Sequence, residues 1–93
     1  MTTDRLDSTP TAAEHVVAQK AGDEAVLLEL AGGRYFSLDP VGSRIWALCD
    51  GRRSVRKIAA EISREYDADL HTVERDVAEL LEELEREQLV RFA

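Results

Sequence analysis

The hydrophobic period of this chain changes once, and the change fixes the order of its elements. From Ala25 to Leu38 apolar side chains alternate in short runs broken by Gly32-Gly33. From Asp39-Pro40 onward they recur at helical spacing. Alternation suits a strand, whose side chains point to opposite faces in turn, and a recurrence every third or fourth residue suits a helix. Strands followed by helices predict an α+β fold.

The runs can be placed individually. His15–Gln19 and Ala25–Leu30 are short and rich in Val and Leu, and Gly22 and Asp23 form a turn between them. Val26, Leu28 and Leu30 share one face of the second run. Ala31-Gly32-Gly33 reads as a tight hairpin connection into a third run, Arg34–Leu38. There Arg34, Phe36 and Leu38 share one face, and Tyr35 and Ser37 the other. These runs predict a three-stranded antiparallel meander.

Asp39-Pro40 opens a helix to about Cys49, because Asp accepts from free N–H groups and Pro needs no partner at the first helical position. Its stripe is Val41, Ile45, Leu48 and Cys49, and Asp50-Gly51 ends it. Ser54 caps a second helix carrying Val55, Ile58, Ala59 and Ile62, which ends near Tyr66. Asp69 caps a third, with Leu70, Val73, Val77, Leu80, Leu81 and Leu84 on its apolar side. Helices two and three resemble a helix-turn-helix pair, so the second half reads as a three-helix winged helix-turn-helix-like unit. Gln88–Phe92 reads as a short terminal strand or an extended tail, and residues 1–13, which lack periodicity, as a disordered arm. The expected domain is therefore 14–93.

Size and charge narrow the function. A chain of 93 residues buries only about 60–65% of its unfolded surface, which leaves little room for a substrate cavity and its supporting shell. That argues against an enzyme. Net charge is −7, and ten acidic residues face only Arg75 and Arg86 between Glu65 and Glu87. Such a surface repels phosphate and favours a cationic partner. No run is long enough to span a bilayer, and MTTDRLDSTPTAA is no secretory signal, so the expected location is cytoplasmic.

The common chemistries find no constellation. His15, His71 and the lone Cys49 do not make zinc spacing, and no cofactor or metal is expected. Cys49 lies on an apolar stripe beside Asp50, which is a poor setting for a thiolate. Gly32-Gly33 opens a strand and lacks a following Gly-Lys-Ser/Thr, so it is no phosphate loop. A winged-helix DNA-binding regulator is the rival reading, with Arg52, Arg53, Arg56 and Lys57 as its basic cluster. Its recognition helix would carry Glu74, Asp76, Glu79 and Glu83 toward DNA phosphate, which opposes binding.

The third strand is the most informative. In a meander it is an outer strand, and outer strands are usually blunted by Lys or Pro. RYFSL carries two large aromatics and one charge. Phe36 and Leu38 can close the core, but Tyr35 points the other way. A strand supplied by another molecule would complete the edge and cover the ring.

LLELAGGRYFSLDPVGSRIWALCDG, VRKIAAEI and DVAELLEELEREQLV together resemble the PqqD-like family, the RiPP recognition elements, over about residues 24–91. The resemblance implies a non-catalytic peptide chaperone that binds the leader segment of a ribosomally made precursor by adding it to the third strand against the third helix. It implicates Arg34, Tyr35, Phe36, Ser37 and Leu38, and on the helix Val73, Asp76, Val77, Leu80, Leu81 and Leu84. Leu80, Leu81 and Leu84 would floor the groove, and Asp76 and Glu83 would meet leader lysines. The form Gly-Arg-Tyr-Phe-Ser-Leu is similar to the stand-alone proteins of lasso-peptide pathways. That branch implies a Lys-rich leader with a Tyr-x-x-Pro motif, a cysteine-protease-type leader peptidase and an ATP-dependent cyclase as partners. A PqqD-type chaperone for another modified peptide is the alternative. The early strand HVVAQ and the Ala31-Gly32-Gly33 turn depart from the pyrroloquinoline quinone branch.

Overall fold

The computed structural model describes residues 5–93, so residues 1–4 of the expected arm lie outside it. It is α+β, with a three-stranded antiparallel sheet followed by three helices. The elements are β1 (Pro10–Ala12), β2 (Val16–Ala21), β3 (Glu24–Glu29), β4 (Arg34–Leu38), α1 (Pro40–Ala47), α2 (Val55–Tyr66), α3 (Leu70–Arg86) and β5 (Val90–Phe92).

The meander has the order β2-β3-β4, and the tail goes elsewhere: β5 pairs antiparallel with β1. Residues 5–13 therefore correct the expectation of a disordered arm. Ala12 N–H donates to the Cys49 carbonyl at 3.2 Å, and Gly51 N–H donates to the Pro10 carbonyl at 3.1 Å. The carbonyls of Ser8 and Leu6 accept from Val55 and Arg56, the first two N–H groups of α2, which have no partner within the helix. A segment without hydrophobic periodicity is thus ordered by main-chain bonds, to which any residue contributes. Gly51 is required where the two paths touch: its φ is +80°, and a Cβ would lie 2.8 Å from Thr11 Oγ1.

Helix starts follow the residues expected. Asp39 accepts from Gly42 N–H at 2.7 Å, Ser54 from Lys57 N–H at 3.1 Å and Asp69 from Thr72 N–H at 3.0 Å. Helix α3 ends in a Schellman pattern, with Leu89 N–H donating to the Leu84 carbonyl and Gln88 N–H to the Glu85 carbonyl. That turn directs the chain into β5.

The core gathers Leu27, Val55, Ile58, Val77, Leu81, Leu84 and Val90, all essentially without solvent contact. On β3 the buried face is Ala25, Leu27 and Glu29, while Val26 and Leu28 are half-exposed and Leu30 lies exposed in the turn. AVLLEL carries apolar residues on both alternate sets, and the all-apolar set, Val26, Leu28 and Leu30, is not the buried one, so its period did not select the face. Register selects it: Leu27 pairs with Phe36 and Ala25 with Leu38, both on the side that α1 covers.

Cys49 is buried in this core, with its Sγ 3.3 Å from the Ile45 carbonyl. Burial first, and the charge of Asp50 second, push the thiol up to about 12. We therefore expect no alkylation of the folded protein by iodoacetamide at mildly alkaline pH and complete reaction in concentrated guanidinium. Rapid labelling under native conditions would show that this part of the core opens readily.

Candidate functional site

Among the described residues, strand β4 is the outer strand of its sheet and pairs with β3 alone. In an antiparallel ladder every second residue turns its N–H and C=O away from the partner strand. Along Arg34–Leu38 those groups face a groove that runs between β4 and α3. It encloses about 540 Å³ and is lined by Phe36, Ser37, Leu38, Asp39, Val41, Gly42, Ile45, Asp76, Leu80 and Glu83.

Six of the twelve residues expected at a binding site meet there: Phe36, Ser37, Leu38, Asp76, Leu80 and Glu83. Asp76, Leu80 and Glu83 are four and then three residues apart and so lie on one face of α3. Val73, Val77, Leu81 and Leu84 turn inward to the core. The expected floor is corrected accordingly. Leu81 and Leu84 have no exposed surface, and Leu80, half-buried, is the leucine of α3 that reaches the groove. All three leucines fit an apolar stripe, but a stripe wide enough to pack on both α2 and β5 leaves only its margin open. Tyr35 is 73% exposed and stands on the opposite face of the sheet, outside the groove.

Arg34 joins the walls rather than lining the cleft. Its Nη2 donates to the Glu87 carbonyl at 2.8 Å, its Nη1 pairs with the Glu87 carboxylate, and its Nε lies 3.2 Å from Glu29 Oε1. It thereby ties the start of β4 to the end of α3. Glu29 also accepts from Gly32 N–H at 3.0 Å and lies 3.6 Å from His15 Nε2. A Cβ on Gly32 would stand 2.8 Å from that carboxylate, so a side chain there would displace the Glu29 carboxylate from its bonds. Loss of water raises the Glu29 carboxyl, but bonds from Arg34 and Gly32 and the charges of Arg34 and His15 outweigh it and hold the group below its ordinary value.

Asp39, Val41, Gly42 and Ile45 were not expected in the site. Their signal was the Leu38-Asp39-Pro40 junction: with no loop between β4 and α1, the first turn of the helix must close the end of the cleft. The groove is acidic and unneutralised. Among the described residues Glu83 has no cationic partner within 4 Å, and Asp76 reaches only Arg75, at 4.0 Å. The basic cluster is different. Arg53 pairs with Asp50 and Glu61, and Arg56 with Asp7, which leaves less positive charge for DNA phosphate.

A family model described as Coenzyme PQQ synthesis protein D (PqqD) matches residues 24–90. The chain belongs to the PqqD family. A PqqA binding protein of Xanthomonas euvesicatoria pv. vesicatoria (strain 85-10) is 39% identical over 73 residues, covering 78% of this chain and 77% of the relative. Among solved structures, TbiB1 in complex with the TbiA(beta) leader peptide has a TM-score of 0.80 at 41% identity, covering 87% of this chain and 94% of that one. The PqqD truncation of Methylobacterium extorquens PqqCD, described as a functional and stand-alone RiPP recognition element, has a TM-score of 0.76 at 28% identity, covering 94% and 92%. A lasso peptide synthetase B1 complexed with the leader peptide shares the fold, with a TM-score of 0.79 at 21% identity, covering 88% and 96%.

Two outcomes test this placement within the PqqD fold. Leu81→Asp should cost at least about 3 kcal/mol of stability, because it buries a charge in the core. Leu80→Asp should cost no more than about 1 kcal/mol, since its position already meets water. Circular-dichroism melts of the two variants check the difference, and equal losses would put Leu80 in the core. The second outcome concerns pH. A carboxyl held below its unfolded value of 4.5 contributes stability that is present above that pH and lost as pH falls through the folded value. Glu29→Gln should therefore show a shallower loss of urea midpoint below pH 4.5 than the unmodified protein. Parallel curves would remove the Glu29–Arg34 bond from the account.

Proposed function

We propose that this protein is a non-catalytic adaptor that binds the leader segment of a ribosomally made precursor peptide by adding it, as a further strand, to β4. One observation carries the reading: the border of β4 is left open by the protein's own tail and lies beside an acidic groove with an apolar centre. An extended peptide there completes the main-chain bonding of the sheet, and alternate side chains enter the groove. Leu80, Phe36 and Val41 offer apolar contact to an aromatic or Pro anchor, and Asp76 and Glu83 offer charge to lysines.

Main-chain bonds of about 1 kcal/mol each are open to any extended peptide, so the anchors set specificity. The carboxylates act mainly on encounter: exposed ion pairs add about 0–1 kcal/mol and are screened by salt. Membership of the PqqD family and the likeness to TbiB1, itself solved with a leader peptide, support the reading. The partner is a Lys-rich leader with a Tyr-x-x-Pro motif. The adaptor presents it to a cysteine-protease-type leader peptidase and an ATP-dependent cyclase in lasso-peptide maturation, in the cytoplasm. The Gly-Arg-Tyr-Phe-Ser-Leu form supports that branch, and the early strand and the Ala31-Gly32-Gly33 turn depart from the pyrroloquinoline quinone branch. A PqqA-type leader is the second candidate, favoured by the similarity to a PqqA binding protein.

Calorimetric titration with both leaders decides among these. We expect saturable binding of the Lys-rich leader, loss of at least about tenfold in affinity in Leu80→Asp, and a slower association in Asp76→Lys that vanishes at high salt. Tighter binding of the PqqA-type leader would move the protein to the other branch. No heat with either peptide would overturn the adaptor reading.

A further inference from the structure

The three-stranded sheet has a second face, and its chemistry is the opposite of the groove's. In the observed register Val17 pairs with Leu28 and Leu28 with Tyr35; Gln19 pairs with Val26 and Val26 with Ser37. Paired residues share a face, so these six, with the Ala21–Glu24 pair, form one surface turned away from α1. The inner face is identified by Lys20, which donates to Ser43 of α1 at 3.2 Å. In a chain that is 33% charged, the outer face carries a single charge, Glu24, at the β2–β3 turn. It also holds Tyr35, 73% exposed, and Val17, 45% exposed.

A strand added to β4 cannot place all its side chains in the groove. Side chains alternate, so every second leader residue emerges on this outer face, at its uncharged end. Strands lie about 4.8 Å apart, which puts such a residue beside Tyr35, within about 10 Å of Leu28 and about 14 Å from Val17. A single side chain reaches the first, brushes the second and misses the third.

We propose, on the basis of the leader reading above, that the leader is recognised on both faces of the extended sheet. The groove takes anchors and lysines against Leu80, Asp76 and Glu83. The outer face takes an uncharged apolar side chain in a subsite made by the Tyr35 ring with Leu28 behind it. The chemistry of this subsite is specific. An aromatic ring directly across from an aliphatic or aromatic leader residue gains contact that a polar residue does not, and no neighbouring charge offers a lysine or a carboxylate a partner. The bound stretch of leader therefore has a period of two, with groove-facing residues interleaved with an apolar residue that faces outward. Tyr35 is a specificity-determining residue that acts from outside the cleft.

A serine scan of a fluorescein-labelled, Lys-rich Tyr-x-x-Pro leader peptide tests this, with anisotropy titrations against five proteins, the unmodified one and the Tyr35→Ser, Tyr35→Phe, Val17→Ser and Leu80→Asp variants. At one leader position serine should weaken binding to the unmodified protein about three- to tenfold but weaken binding to Tyr35→Ser by less than about twofold. That position should lie an odd number of residues from the one that couples to Leu80→Asp. Tyr35→Phe should bind like the unmodified protein, because the ring and not the hydroxyl makes the contact. Val17→Ser should leave affinity unchanged, since it shares the face but lies out of reach.

Binding that responds to Leu80→Asp but shows no position coupled to Tyr35 would overturn the outer subsite and leave the adaptor reading intact. An effect of Val17→Ser equal to that of Tyr35→Ser would overturn it in favour of a wider partner on this face. Failure of the peptide to bind the unmodified protein would overturn both.

Discussion

The pairing of β5 with β1 is the interaction on which the rest depends. The C-terminal segment, which could cover the border of β4, is held elsewhere, opposite Pro10–Ala12. Its course is set by the left-handed turn at Gln88, whose φ is +63°, and by the Schellman bonds that end α3. Val90, fully buried, then locks it into the core. A strand border left open in a small protein invites association with another chain. Here the opening has a wall beside it, so an incoming strand meets a shaped cleft and not merely a template.

That wall stands at a fixed distance because Arg34 reaches from β4 to the end of α3. The same guanidinium holds Glu29, which holds the turn through Gly32. The residue that looked from the sequence like part of a recognition strand is thus engaged in positioning both sides of the cleft. In the proposed adaptor, recognition falls to the side chains left over. These are Leu80 with the Asp76 and Glu83 carboxylates on α3, Phe36 and Val41 at the cleft, and Tyr35 on the far face. The division follows from the helix and the strand alike. Each has one face committed to the core, and only margins and reverse faces remain for a ligand.

Much of the fold was legible before any coordinates. The limits of β4, the three capping residues and the strand-then-helix order follow from local rules that the tertiary structure did not override. Two features were not legible. The arm at residues 5–13 has no hydrophobic pattern, because its order comes from main-chain bonds to Cys49, Gly51, Val55 and Arg56 and from its partner strand. The choice of face on β3 was hidden because both faces carry apolar residues and only register distinguishes them. The groove was half legible. The margin of the α3 stripe and the alternation of β4 pointed to it, but Leu80, Leu81 and Leu84 are equivalent in sequence.

What the sequence determined alone was the order and type of the elements, the acidic character of α3 and the unusual aromatic content of an outer strand. Those are local properties of spacing, capping and charge. Only the tertiary structure decided that the tail joins the N-terminal strand, that one leucine of three reaches the cleft, and that Arg34 braces it. The physical reason is the same in each case. Backbone bonds between distant segments carry no side-chain signature, and exposure at the rim of an apolar stripe depends on what packs against it.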